Sequence, residues 1–255
     1  MDSTDRKIEI LEKATIGECK KCDKGFTKKG LCDCRKKFQT GVKLIVGGFP
    51  LDLIRIEKPI FDVKVLDWYI SNPKEVSEDG LSLYVHGPLG VGKTLCSVWL
   101  AEEFTKAFGV EGVCGYKHDL SVQFMEASQF VLNERTLRDD ELRKFHKTFE
   151  ANLFVLDDWS NEYKSQSNPS YVDRLYERFF RSRISNCLPT IVTTNVPPQE
   201  VEGLYDEKIA SLLGIKLKKK SEYDMAGRFV EVRLDGPDFR KLASDKGWSK
   251  YYERI

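Results

Sequence analysis

No apolar run in these 255 residues approaches the roughly 20 that a membrane-spanning helix requires. The N-terminal Met1-Asp2-Ser3-Thr4-Asp5-Arg6 is charged and is followed by no signal-type apolar stretch. Together these absences predict an intracellular, cytoplasmic protein with no membrane partner. Charge of one sign is also lacking. The formal net charge is +1, so there is no global field, and a nucleic-acid partner would have to be met by locally clustered cations. No internal repeat or low-complexity tract occurs. The seven cysteines are odd in number and lack an export signal, which excludes a disulfide framework. Cys96, Cys114 and Cys187 are scattered in apolar or helical context and read as reduced thiols. The other four cluster near the N-terminus. With 41% hydrophobic and 32% charged residues, the chain can build one sizeable core plus a small appendage.

From residue 81 onward, strand and helix alternate. Residues 81–86 read as a strand ending in a glycine-rich turn, and 93–108 as a helix with Leu95, Val98, Leu100, Ala101, Phe104 and Ala107 at helical spacing. Residues 122–125 form a candidate strand, and 127–150 are charged and helical. Residues 152–156 are the continuous apolar run of a buried parallel strand. A helix over 171–186, a strand over 190–194 and a late alternating strand over 229–234 complete the series. This rhythm predicts an α/β fold, a central parallel sheet flanked by helices. Upstream, 1–18 reads as a short polar helix, 38–50 as a glycine-containing linker and 51–74 as helices. The expected division is therefore residues 1–50, an N-terminal helix and cysteine module with linker, and residues 51–255, a nucleotide-binding domain.

Gly87-Pro88-Leu89-Gly90-Val91-Gly92-Lys93-Thr94 lies between a predicted strand and a predicted helix, the context of a P-loop. Its glycines let backbone N–H groups wrap phosphates, and the helix N-terminus adds its dipole. Lys93 is placed to meet the β- and γ-phosphates of ATP, and the Thr94 hydroxyl to ligate Mg²⁺. The apolar run 152–156 ends in Asp157-Asp158, as a Walker B element does. Asp157 would hold Mg²⁺, mostly through water, and Asp158 would polarise the attacking water. Asn195, closing the strand that ends Thr193-Thr194, can hydrogen-bond the γ-phosphate or that water.

Cys19-x2-Cys22-x9-Cys32-x-Cys34 offers four thiolates within 16 residues, the donor set of a closed structural Zn²⁺ site. A redox dithiol and unrelated reduced thiols are the alternatives, and the thioredoxin-like βαβ context that the first needs is absent. Residues 19–37 hold eight lysines and arginines against two acids, and four thiolates around Zn²⁺ leave the module at about +4. Such a module could touch a nucleic-acid backbone or dock a protein. Arg174, Arg178, Arg181 and Arg183 share one predicted helix with Tyr176, Phe179 and Phe180. This helix could grip a single strand, with the aromatics stacking on bases, or it could be an amphipathic core helix with a charged edge.

The order GPLGVGKT, LFVLDDW, PTIVTTN resembles the DnaC, DnaI and IstB group of AAA+ ATPases, bacterial and phage helicase loaders and transposition helpers. Gly236-Pro237-Asp238-Phe239-Arg240 is similar to that group's terminal G-x-D-[YF]-R segment, and the resemblance covers roughly residues 51–241. It implies an AAA+ P-loop fold and an ATPase cycling between ATP and ADP, in a homo-oligomeric ring or spiral. It also implies single-stranded DNA and a replicative DNA helicase as partners. Some loaders of the group carry an N-terminal cysteine module that binds the helicase. Two departures stand out. Trp159-Ser160 follows the acids where the group has an apolar residue and Gly. In Glu207-Lys208-Ile209-Ala210-Ser211-Leu212-Leu213, Leu212 stands where the group carries its arginine finger, so the resemblance shifts that role to Arg228. A transposition helper and an ATP-binding adaptor with little hydrolysis are the competing readings.

Overall fold

The computed structural model describes residues 3–28, 30–54, 61, 63–109, 120–160, 169–214 and 229–238. Helix α1 (Ser3–Glu12) runs into one wider turn, Lys13–Gly17. A hairpin of β1 (Phe26–Thr27) and β2 (Gly30–Leu31) follows, then helix α2 (Asp33–Val46). Short helices α3 (Leu51–Ile54), α4 (Lys64–Ser71) and α5 (Pro73–Asp79) lead to strand β3 (Ser82–His86) and helix α6 (Lys93–Gly109). Strand β4 (Val122–Glu126), helices α7 (Ala127–Thr136) and α8 (Asp139–Lys147), and strand β5 (Leu153–Trp159) come next. Helix α9 (Pro169–Ser185), strand β6 (Thr190–Thr194), helices α10 (Val201–Leu204) and α11 (Glu207–Leu213), and strand β7 (Phe229–Arg233) complete the described chain.

Strands β3 to β7 form a parallel sheet in the order β4-β5-β6-β3-β7. Strands β3 and β6 are buried at every position because helices cover both faces, and that is why their sequences are apolar runs rather than alternations. Successive residues nevertheless feed different cores. Leu83, Val85, Leu153, Val155 and Ile191 join one cluster, with α6, α2 and α4. Tyr84, Phe154, Leu156 and Val192 join the other, with α7, α8 and α9. The second cluster is aromatic: Phe130 stacks on Tyr176, with centroids 5.4 Å apart, and meets Phe179 edge-on at 5.0 Å. The chain leaves β3 for the far edge at β4, walks back through β5 and β6, then crosses to β7. The carboxyl ends of β3, β5 and β6 therefore meet where open α/β sheets bind ligands.

Residues 38–50 are not a linker. Most of the stretch is helix α2, which carries Cys34 in its first turn and places Leu44 and Ile45 in the core. Leu11 of α1 packs so closely on α2 that a Cβ at Gly41 would lie 2.5 Å from its Cδ2. Gly47 and Gly48, which suggest flexibility in sequence, close on the sheet edge instead. Phe124 N–H donates to the Gly47 carbonyl at 2.7 Å, and a Cβ at Gly47 would lie 2.2 Å from the Val122 carbonyl oxygen. Only a bare backbone can cover β4 this tightly. The cysteine module is thus braced on the sheet by a continuous helix.

Candidate functional site

β3 ends at His86 and α6 starts at Lys93, so residues 87–92 must turn the chain at the sheet edge. Gly90 (φ 80°) and Gly92 (φ 88°) occupy the left-handed region, where a side chain costs energy. Gly87 is required for space: a Cβ there would lie 2.1 Å from the Leu234 carbonyl oxygen. A Cβ at Gly90 would lie 1.9 Å from an Asp238 carboxylate oxygen, so the segment after β7 closes directly on the loop. Lys93 is buried, and its ammonium donates to the Gly87 and Pro88 carbonyls at 2.9 and 2.7 Å. Leu89 is exposed and Val91 is buried beneath the loop.

Asp157 faces this loop. The Thr94 hydroxyl donates to its Oδ2 at 3.1 Å and the Thr193 hydroxyl to its Oδ1 at 2.6 Å. Burial pushes the carboxyl up to about 6. The two hydroxyls oppose that rise, and the like charges of Asp158 and Glu126 add to it. A carboxylate can accept about four hydrogen bonds and here receives two from the described residues. Two oxygens 3.1 Å apart match neighbouring ligands on an octahedral Mg²⁺, which lie about 3.0 Å apart when each bond is about 2.1 Å. The residues present therefore fit that ion.

The acids sit on a β-bulge. Leu156 pairs with Val192, but Trp159 pairs with Thr194, so β5 has one residue more than β6 over this span. Asp158 has φ 55° and is exposed, and its N–H donates to Thr193 Oγ1 at 2.9 Å. The extra residue returns Trp159 to the face shared with Leu156, where it is fully buried and stacked on Tyr205 at 4.4 Å and 4°. The Trp159 departure from the resembled pattern is thus a core anchor that sets the bulge. β6 stitches the bulge with side chains. Besides Thr193, the Thr194 hydroxyl donates to the Trp159 carbonyl at 2.7 Å and accepts from Val196 N–H at 3.1 Å. Asn195 follows directly, and its Oδ1 is buried without a hydrogen-bond partner among the described residues. The Tyr84 hydroxyl pins the next carbonyl, of Val196, at 2.8 Å.

Arg228 lies outside the described residues. Leu212 packs against the second core cluster. Helix α9 corrects the base-stacking expectation, because Tyr176, Phe179 and Phe180 are all fully buried. Arg178, Arg181 and Arg183 are engaged locally, and Arg174 is exposed. Arg178 donates to Glu134 at 2.7 Å and Arg181 to Glu177 at 2.7 Å. Arg183 is buried, donating to Thr190 Oγ1 and to the carbonyls of Phe149, Ala151 and Pro189. Burial lowers its guanidinium to about 9, still protonated at neutral pH.

The four N-terminal cysteines come together: their sulfurs all lie within 4.8 Å of one another. Cys19 and Cys32 are 3.9 Å apart, Cys22 and Cys34 3.4 Å. A tetrahedral Zn²⁺ with Zn–S bonds of about 2.3 Å sets its sulfurs about 3.8 Å apart, so the donor set fits. Lys24 (φ 46°) and Gly25 (φ 91°) turn the chain so that Gly25 N–H donates to Cys22 Sγ at 3.3 Å. Backbone and thiol hydrogen bonds, from Lys21 and Cys22, lower Cys19 to about 7, while burial raises Cys22 and Cys34.

Residue identity alone did not single out Thr193 or the Asp238 contact, and it offered Arg183 as one of four helix arginines for a nucleic-acid strand rather than as a buried pin. A hydroxyl near the end of an apolar strand is only a weak signal for the first.

No family model matches the chain, and no curated protein matches it. Solved structures do. The chain is similar to DnaI, at 17% identity and a TM-score of 0.51 over 74% of this chain and 93% of that one. It is similar to the DnaC helicase loader, at 20% identity and 0.50 over 68% and 87%. A primosome component from Streptococcus pyogenes serotype M3 matches at 15% and 0.50 over 73% and 90%. At these identities the likeness is one of fold, and the fold is that of AAA+ P-loop proteins, as the motif order implies.

Proposed function

We propose that this chain is an ATP-dependent helicase loader of DNA replication. It would bind MgATP at the carboxyl edge of its sheet and act on single-stranded DNA and a replicative helicase as a homo-oligomer. The observation that carries the reading is the Thr94–Asp157 contact. It joins the P-loop helix to an apolar strand's terminal acid in a geometry that fits Mg²⁺. The fold likeness to DnaI and the DnaC helicase loader supports loading as the reading among AAA+ activities.

In this reading, residues 51–255 are the ATPase domain and residues 1–50 an appended module. The backbone of residues 87–92 and the N-terminus of α6 cradle the phosphates, and Lys93 leaves its two carbonyls to neutralise them. Thr94 and Asp157 would hold Mg²⁺, which supplies charge neutralisation at the phosphates. Asp158 polarises the attacking water, and Asn195 orients to the γ-phosphate. Arg228 acts across a subunit boundary on the neighbouring site. Cys19, Cys22, Cys32 and Cys34 hold Zn²⁺. Leu212, packed against the core where the resembled group has arginine, favours hydrolysis that is weak until a partner assembles the site.

Steady-state ATPase with and without single-stranded DNA tests the assignment. Asp158→Ala should reduce turnover at least tenfold with nucleotide binding retained, and turnover equal to wild type would defeat the hydrolytic role. Metal analysis tests the module: one zinc per chain is expected, lost in Cys19→Ser/Cys22→Ser. Capture of a purified replicative helicase, rather than a transposase, separates loading from transposition.

A further inference from the structure

Phe26 is the most exposed aromatic ring among the described residues, at 55% of its surface. It does not stand alone. The β1–β2 register sets it directly across from Leu31, itself 37% exposed, so the two side chains share one face of the hairpin. Arg35 braces the ring: its guanidinium carbon lies 5.9 Å from the Phe26 centroid and 5.6 Å from that of Phe38. The Arg35 stem lies flat on Gly25, where a Cβ would come within 3.0 Å of its Cδ. Lys20, Lys21, Lys24 and Lys28 are exposed along the same short segment. Arg35 belongs to α2, which runs on into the core, so this braced ring is held in fixed relation to the sheet.

We propose that this hairpin is a single-stranded nucleic-acid platform. One base stacks on Phe26 beside Leu31, and the lysines take the flanking phosphates. The inference rests on the DNA-binding part of the proposed function and names its surface. An unstacked base offers a π-face that fits an isolated, braced ring, and a basic surround fits the backbone. A protein partner fits less well. Stable interfaces bury about 800 Å² per side around an apolar, lysine-poor centre, whereas this one is two apolar side chains set among lysines. Tyr176, Phe179 and Phe180 of α9 offer no competing platform, since they are in the core.

The test uses the full-length, zinc-loaded protein and a fluorescein-labelled oligothymidylate of about 16 nucleotides, near the upper site size of small single-strand binding folds. Anisotropy is followed at rising salt. Phe26→Ala should weaken binding at least fivefold and Phe26→Trp should retain it. Lys21→Glu/Lys24→Glu should weaken binding and flatten the salt slope by about 1.4. Zinc content and ATPase should be unchanged in all three, and should Phe26→Ala lose zinc, the lysine variant carries the test. Wild-type affinity in both Phe26→Ala and the lysine variant overturns the inference and leaves the proposed function standing. Wild type that binds no oligonucleotide at any salt removes both this inference and the DNA-binding part of that function. Loss of helicase capture by Phe26→Ala with oligonucleotide binding intact would reassign the surface to a protein partner.

Discussion

Two buried ionic side chains sit at opposite ends of the β5–β6 pair, and they differ in how fully they are satisfied. At the amino ends, Arg183 directs four hydrogen bonds from its five N–H groups to one hydroxyl and three carbonyls. At the carboxyl ends, Asp157 receives two hydroxyl bonds and faces two further acids. Neither has an ionic partner among the described residues. The saturated charge is architecture, tying the strand entries together. The unsaturated one is poised for a cation that the fold does not supply. Completeness of hydrogen bonding, more than burial, separates the structural ion from the functional one.

The strongest way to break this contrast is Arg183→Met. Three carbonyls would lose their donor inside the core, and stability should fall by roughly 3–5 kcal/mol. At about 2–4 °C per kcal/mol, calorimetry should show a melting temperature lower by about 6–20 °C. ATPase per folded molecule should survive at low temperature. An unshifted melting temperature would show that the arginine is not a structural pin.

Asp157→Asn should act in the opposite direction. The unfolded carboxyl titrates near 3.9, while the folded group is raised to about 6. Between these values the folded state holds more protons than the unfolded, so this group's contribution to stability falls as pH rises through the window and stays low above it. The amide should therefore stabilise the nucleotide-free protein by roughly 2–3 kcal/mol at pH 7 and by almost nothing at pH 4. Mg²⁺-dependent nucleotide binding should be lost. A variant no more stable than wild type at pH 7 would remove the claim that Asp157 is held at a cost.

The finest adjustment is Thr193→Val, which deletes the hydroxyl that donates to Asp157 and accepts from Asp158 N–H. A loss of about 1–2 kcal/mol is expected, typical of one buried hydrogen-bond partner. Apparent Mg²⁺ affinity in nucleotide binding should weaken severalfold, with Thr193→Ser restoring it. Equal affinity in Val and Ser variants would show that the bulge holds its shape without the hydroxyl.

Much of this was legible in the residues. Every element predicted from position 81 onward appears, because strands buried on both faces are continuous apolar runs and helices with one apolar stripe are periodic in sequence. The P-loop was legible because only glycine tolerates its backbone, and the cysteine cluster because four thiols at close spacing have few other uses. Misreading arose where a residue's meaning depends on what packs against it. Gly47-Gly48 signalled a linker and closes on β4. Tyr176, Phe179 and Phe180 of α9 allowed a base platform or a core stripe and fill the core, while Phe26 is exposed.

By itself, then, the sequence determined the α/β rhythm, the phosphate loop, the paired acids and the four sulfurs, since each is set by local chemistry and spacing. Only the tertiary structure decided that an extra residue bulges β5 at Asp158, that Thr193 couples β6 to Asp157, that Arg183 is a buried pin, and that α2 welds the cysteine module to the sheet. These depend on partners distant in sequence, and burial and hydrogen-bond completeness exist only once the strands are side by side.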